Sequence, residues 1–222
     1  MTKDMREFKA ALIDLDGFLI DSEGIFLEAN KIYFKQFGLD FTERMHISGI
    51  GKKTNEEMQG YIDRGLVKAD ISAEELVKGR DEIFREIALK KLKLLPGAQS
   101  FLEKVRKKRK NVLVTSSTRE YVNFIFSLLD ISKYFDEIVT GDMVKIGKPS
   151  PEPYLIGAST VGLDPDDCMV FEDAVNGVLS GKAAGMRVIA VPNRFVKGDK
   201  VFEEADMVFE SLVDVSNWLE ES

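Results

Sequence analysis

From Val112 onward, short apolar runs alternate with segments of helical spacing, and that rhythm restricts the fold more than any other feature of the chain. Val112–Thr115, Glu137–Thr140, Cys168–Glu172 and Arg187–Val191 read as buried strands, with a last short one at Met207–Phe209. Between them Arg119–Leu129, Pro151–Val161 and Val175–Ala184 carry helical patterns. Phe8–Ile13 is a further apolar run ending in acidic residues, and Pro96-Gly97 opens a helix reaching Arg109. Strands that are apolar nearly throughout and separated by helices specify an α/β domain with a parallel sheet. A sheet covered on both faces needs no polar alternation.

Residues 22–90 break the rhythm. Ile25, Phe26, Ala29, Ile32, Tyr33, Phe34 and Phe37 share one helical stripe, and Ser72-Ala73-Glu74-Glu75 has the pattern of a capped helix start. No convincing strand lies in this stretch, so it is expected to be a helical domain inserted into an α/β core of residues 1–21 and 91–222.

Composition narrows the chemistry. One cysteine, Cys168, excludes an internal disulfide and a multi-cysteine zinc site, and one histidine, His46, leaves almost no room for histidine-rich metal chemistry. Acid–base work in an enzyme of this composition falls to carboxylates. No run of 18 or so apolar residues offers a membrane span. Met1–Lys9 lacks a signal peptide's apolar stretch, so the expected compartment is the cytoplasm. The net charge of −7 argues against a general nucleic-acid binder. The basic run Lys104–Lys110 is read as a solvated last turn of a helix, where cations complement the carbonyl end of its dipole.

In open parallel sheets ligands bind beyond the carboxyl ends of the strands. Those positions hold Asp14 and Asp16, Thr115 and Ser116, and Glu172 and Asp173, with Lys148 in a loop after the Glu137 strand. Several carboxylates crowded there are costly unless a cation neutralises them or a proton is shared. Oxygen ligands without histidine or thiol suit Mg²⁺, especially where a phosphate completes its shell. A lysine, a hydroxyl and free backbone amides nearby supply the positive potential that a transferring phosphoryl group needs.

These residues are similar to the motifs of the haloacid dehalogenase superfamily, in its branch of capped phosphatases and β-phosphoglucomutases. Asp14-Leu15-Asp16-Gly17 resembles the first motif, Thr115-Ser116-Ser117 the second, Gly147-Lys148-Pro149 the third and Phe171-Glu172-Asp173 the fourth, in order along nearly the whole chain. The resemblance implies a Rossmann-like parallel core with an inserted α-helical cap. It implies Asp14 as the nucleophile that forms an aspartyl phosphate, and Asp16 as the general acid–base. Mg²⁺ would be held by Asp14, the Asp16 carbonyl and Asp173, with Glu172 as an outer partner. Thr115 and the amide of Ser116 would bind phosphoryl oxygens, and Lys148 would pair with both phosphate and Asp14. The dehalogenases that name the superfamily lack the second aspartate, so Asp16 favours phosphate transfer.

The expected activity is Mg²⁺-dependent hydrolysis of a small phosphorylated metabolite, a sugar phosphate or a phosphoglycolate-like compound, by a monomer. A β-phosphoglucomutase-like mutase is the first alternative. The resembling mutases place a histidine where this chain has Phe26, which tilts the reading towards hydrolysis, while Lys52 and Arg80 would suit a second phosphate. A non-catalytic phosphate binder of the same fold is the second alternative. Lys52 and Lys53, in a glycine-bearing cap loop, and Arg80 are the candidates for substrate selection. Phe18 is expected to pack near the hinge, Cys168 in the core, and His46 on the surface or in packing, with a place near the active site as the other option.

Overall fold

The computed structural model describes residues 5–67 and 70–220; the first four residues of the Met1–Lys9 segment lie outside that range. Six parallel strands form one sheet in the order β3-β2-β1-β4-β5-β6. They are β1 (Ala10–Ile13), β2 (Lys110–Val114), β3 (Glu137–Val139), β4 (Cys168–Glu172), β5 (Arg187–Ala190) and β6 (Met207–Val208). Ile13 is in register with Leu113 on one side and Phe171 on the other. The chain therefore passes outward from β1 in both directions, and the crevice where the order reverses opens beside the end of β1.

The strands alternate between two buried faces, as the pleat requires. Ala11, Ile13, Leu113, Met169, Phe171 and Ile189 point into one apolar cluster. Ala10, Leu12, Val112, Val114, Val170 and Val188 point into the other. The first face is covered by α5 (Ala98–Arg106), α6 (Arg119–Leu128) and α9 (Leu212–Glu220); the second by α7 (Glu152–Thr160) and α8 (Val175–Ala183). Cys168 lies fully buried in the second cluster, the packing place expected of it. Phe18 is buried against Phe101 and Phe171, a packing residue.

Between β1 and α5 run α1 (Glu23–Phe34), α2 (Glu43–Gly49), α3 (Thr54–Asp63) and α4 (Ala73–Lys91), with no named strand among the described residues. These helices have a cluster of their own, built on Tyr33, Phe34, Phe41, Met58, Tyr61 and Leu76. The core cluster also reaches into them through Ile25, Ala29, Phe84 and Ala88. Ser72 caps α4 as its pattern predicts: its hydroxyl accepts from Glu75 N (3.2 Å) while Glu75 Oε2 accepts from Ser72 N (2.9 Å).

Three local expectations need correction. Ile32 is 52% exposed, because seven apolar residues make a wider arc than the helix buries. α5 stops at Arg106, and the basic run divides after it: Lys110 already belongs to β2, and Arg109 lies over the Phe8 ring and donates to Arg6 O (2.9 Å). Helix α9 went unread, although Leu212, Val215 and Leu219 follow a helical spacing and Ser211 Oγ accepts from Asp214 N (3.3 Å) at its start. No described helix is long and apolar enough to cross a membrane.

Candidate active site

Asp14 follows β1 directly, and its amide still donates to Phe171 O (3.0 Å), so the sheet itself sets the position of the carboxylate. Lys148 reaches it from the loop before α7. The ammonium donates to Asp14 Oδ1 (2.6 Å), Glu172 Oε1 (2.6 Å) and Val114 O (3.0 Å), which uses all three of its protons. Burial opposes the lysine's charge, yet the two carboxylates hold its pKa above the ordinary value.

Glu172 has no acceptor to spare. Oε1 also takes the Tyr154 hydroxyl (2.8 Å), and Oε2 takes the amides of Asp173 (2.9 Å) and Ala174 (3.0 Å). It anchors the lysine and shapes the turn after β4. The carboxylate lies so close to α8 that a Cβ at Gly177 would stand 1.7 Å from Oε1, so only glycine fits there.

Asp173 is fully buried. Asn193 Nδ2 donates to its Oδ2 (2.7 Å), while Oδ1 has no hydrogen-bond partner. Burial pushes the Asp173 carboxyl well above its ordinary range, and the charges of Glu172 and Asp14 push it further. Burial does the same to Asp14, with Lys148 pulling it back. Oxygen atoms of Asp14, Glu172 and Asp173 lie within 4.8 Å of one another. An orphaned buried carboxylate oxygen and an all-oxygen donor set fit a hard divalent cation, which would remove the electrostatic cost of the cluster.

Asp16 follows two residues after Asp14 but points elsewhere. Oδ1 accepts from Tyr121 OH (2.6 Å) and Ser22 Oγ (2.7 Å), and Oδ2 from Ser117 Oγ (2.9 Å). Burial raises its pKa against the pull of these donors. The turn that follows Asp16 passes through Gly17 at φ +81°, where a Cβ would stand 2.2 Å from Asp173 Oδ2.

The structure brings Asp14, Asp16, Thr115, Ser116, Glu172 and Asp173 to one cleft, faced by Lys52 and Arg80 from the helical insert. Lys53 is not on that lining: its ammonium donates to Val144 O (3.0 Å) and its stem lies over Gly147. Ser116 Oγ and Asn176 Nδ2 donate to Gly51 O (3.1 Å) and Ile50 O (3.1 Å), so the insert's loop is docked on the core at several points. His46 is buried at the cleft, not on the surface; Nε2 lies 3.0 Å from Glu23 Oε2 without forming a hydrogen bond.

Sequence reasoning missed Tyr121, Tyr154 and Asn193. Asn193 stands just beyond β5, so the strand-end rule applied to that strand would have found it. The tyrosines lie inside helices, where nothing local marks them.

The family pattern of the haloacid dehalogenase-like hydrolases matches residues 11–191, which takes in all four strand-end groups. The chain belongs to this family. As a haloacid dehalogenase-like hydrolase it is 32% identical over 215 residues to the phosphorylated carbohydrates phosphatase of Thermotoga maritima, covering 96% of this chain and 99% of that one. It is 29% identical over 220 residues to hexitol phosphatase B of Escherichia coli, covering 95% and 96%. Among solved structures, CbbY from Rhodobacter sphaeroides in complex with phosphate superposes with a TM-score of 0.81 at 22% identity, over 94% and 96% of the two chains. β-Phosphoglucomutase from Clostridium difficile gives 0.82 at 24% identity, over 96% of each. Those two likenesses speak for the fold alone.

Proposed function

We propose that this hydrolase is a Mg²⁺-dependent phosphatase of small phosphorylated metabolites, acting through a phosphorylated Asp14. The observation that carries the reading is the Asp14 carboxylate held by Lys148 in a cleft shared with Asp16 and with the unpartnered oxygen of Asp173. The relatives named as phosphatases of carbohydrates and hexitols support it.

Asp14 attacks phosphorus in line, forming an acyl phosphate as the ester P–O bond breaks. Asp16 delivers a proton to the leaving oxygen, then takes one from the water that attacks the acyl phosphate, so the second step releases phosphate and restores both carboxylates. The Thr115 hydroxyl donates to the phosphoryl oxygens with the Ser116 amide beside it. Lys148, its protons spent on Asp14, Glu172 and Val114 O, contributes its charge through the Asp14 carboxylate it holds. Mg²⁺, held by Asp14, Asp173 and the Asp16 carbonyl, supplies charge neutralisation when bound. Residues 22–90 act as a cap over residues 1–21 and 91–222, with Lys52 and Arg80 facing the substrate and Lys53 as a strut between cap and core. The docked loop excludes water from the first step.

Phe26 supports hydrolysis over mutation of the sugar phosphate. It stands where the resembling mutases carry a histidine, and it is stacked on Phe84 (4.2 Å between centroids) with the Arg80 guanidinium over its ring (4.7 Å). The test is phosphate release across a panel of sugar phosphates and phosphoglycolate, run beside Asp14→Asn. Release that needs Asp14 and Mg²⁺ is expected, with the variant at background and folded; release by purified Asp14→Asn at the wild-type rate would remove Asp14 as the nucleophile.

A further inference from the structure

One wall of the cleft is formed by residues that no step of hydrolysis uses. Asn30 follows Phe26 by four residues on α1, so the two share a face. Asn30 is 1% exposed, lines the cleft, and its Oδ1 has no hydrogen-bond partner. A buried acceptor left empty is unfavourable unless a bound molecule supplies the donor. Arg80 lies over Phe26 and is 4% exposed. Its Nε donates to Asp81 Oδ1 (2.6 Å), and its terminal nitrogens have no hydrogen-bond partner among the described residues.

The wall therefore brings an acceptor and a donor to the same cleft as one aromatic ring. Its charge is balanced: Glu23 and Glu57 line the same cleft as Lys52 and Arg80, and Asp81 offsets Arg80 further. A phosphate or carboxylate group only accepts hydrogen bonds, so neither satisfies Asn30 Oδ1, and neither finds a surplus of positive charge. A hydroxyl donates and accepts at once. We propose that Asn30 and Arg80 form a subsite that reads a hydroxyl of the substrate's carbon skeleton, making polyol monophosphates the preferred class over bisphosphates and phosphorylated carboxylic acids. This rests on the phosphatase reading and narrows it.

The subsite predicts a discrimination that kinetics measures directly. The probes are a hexitol 6-phosphate, glycerol 3-phosphate, propyl phosphate, phosphoglycolate and fructose 1,6-bisphosphate. Wild-type kcat/KM should be highest for the two polyol esters. In Asn30→Leu, which removes the acceptor at similar volume, the ratio of kcat/KM for the hexitol ester to that for propyl phosphate should fall roughly tenfold to a hundredfold. Asn30→Asp, which keeps an acceptor, should retain more of the ratio than the leucine variant and serves if that variant fails to fold. A ratio unmoved within threefold in Asn30→Leu, or a wild-type preference for phosphoglycolate or the bisphosphate, overturns the proposal.

Binding decides the matter independently of turnover. Calorimetry on Asp14→Asn should show the hexitol phosphate binding at least tenfold more tightly than the bisphosphate or phosphoglycolate. The reverse order removes the subsite even if hydrolysis is seen. Absence of Asp14-dependent release from every ester counts against the phosphatase reading, while the binding order still judges the subsite.

Discussion

Replacing Lys148 by methionine keeps the volume of the side chain and removes its charge from between two carboxylates. The Lys148 side chain is 1% exposed, and its ammonium lies 2.6 Å from Asp14 Oδ1 and 2.6 Å from Glu172 Oε1. Removing one partner of a buried ion pair costs about 3–5 kcal/mol, because the charge left behind has lost both water and counter-ion. For a chain of this length each kcal/mol moves the melting temperature by roughly 2–4 °C, so the expected fall is about 6–20 °C in chelator at pH 7.5. The sign of the pH dependence follows from Asp14. Burial already holds its carboxyl above the unfolded value, and loss of Lys148 raises it further. A carboxyl whose folded pKa is raised destabilises the fold while ionised, and that penalty disappears as pH falls through the folded pKa. The gap between variant and wild type should therefore narrow on acidification from pH 7.5 to 5.5, and on addition of Mg²⁺. Scanning calorimetry measures both. A fall of less than 3 °C, or a gap that widens at pH 5.5, would refute the account of Lys148 as the charge that holds the cluster together.

Two further outcomes test the site and the core. Gly17→Ala should weaken Mg²⁺ binding by at least tenfold in calorimetric titration, because the new methyl would stand 2.2 Å from Asp173 Oδ2 on a backbone at φ +81°; unchanged affinity would show that the turn relaxes freely. Cys168 should resist alkylation at pH 8 in the native protein and react once unfolded. Burial, aided by Asp167 and Asp164, pushes its thiol up to about 11, so the thiolate is scarce at that pH. Rapid native labelling would contradict this.

Much of the framework is legible because it rests on local period. Strand β4 has the bounds its apolar run predicts, and the start of α4 follows from Ser72 and Glu75. The C-terminal end of α5 and the exposure of Ile32 were not legible, since a neighbouring turn and the width of a packed face decide them. In the site, Asp14, Thr115, Glu172 and Asp173 were found by their place after apolar strands. Tyr121 and Tyr154 escaped, because a tyrosine on a helix carries no mark of the carboxylate it will meet.

The sequence by itself determined the strands, the inserted helices and the order of the acidic groups, because apolar periodicity and turn chemistry act over a few neighbouring residues. Only the tertiary structure decided how each group is used. Glu172 is spent on Lys148, Tyr154 and two amides, whereas Asp173 keeps an oxygen free. Lys52 and Lys53 are adjacent in sequence, yet one faces the cleft and the other braces the core. Burial and the count of hydrogen-bond partners set these differences, and the partners come from other elements: Lys148 and Tyr154 to Glu172, Asn193 to Asp173, and the Val144 carbonyl to Lys53.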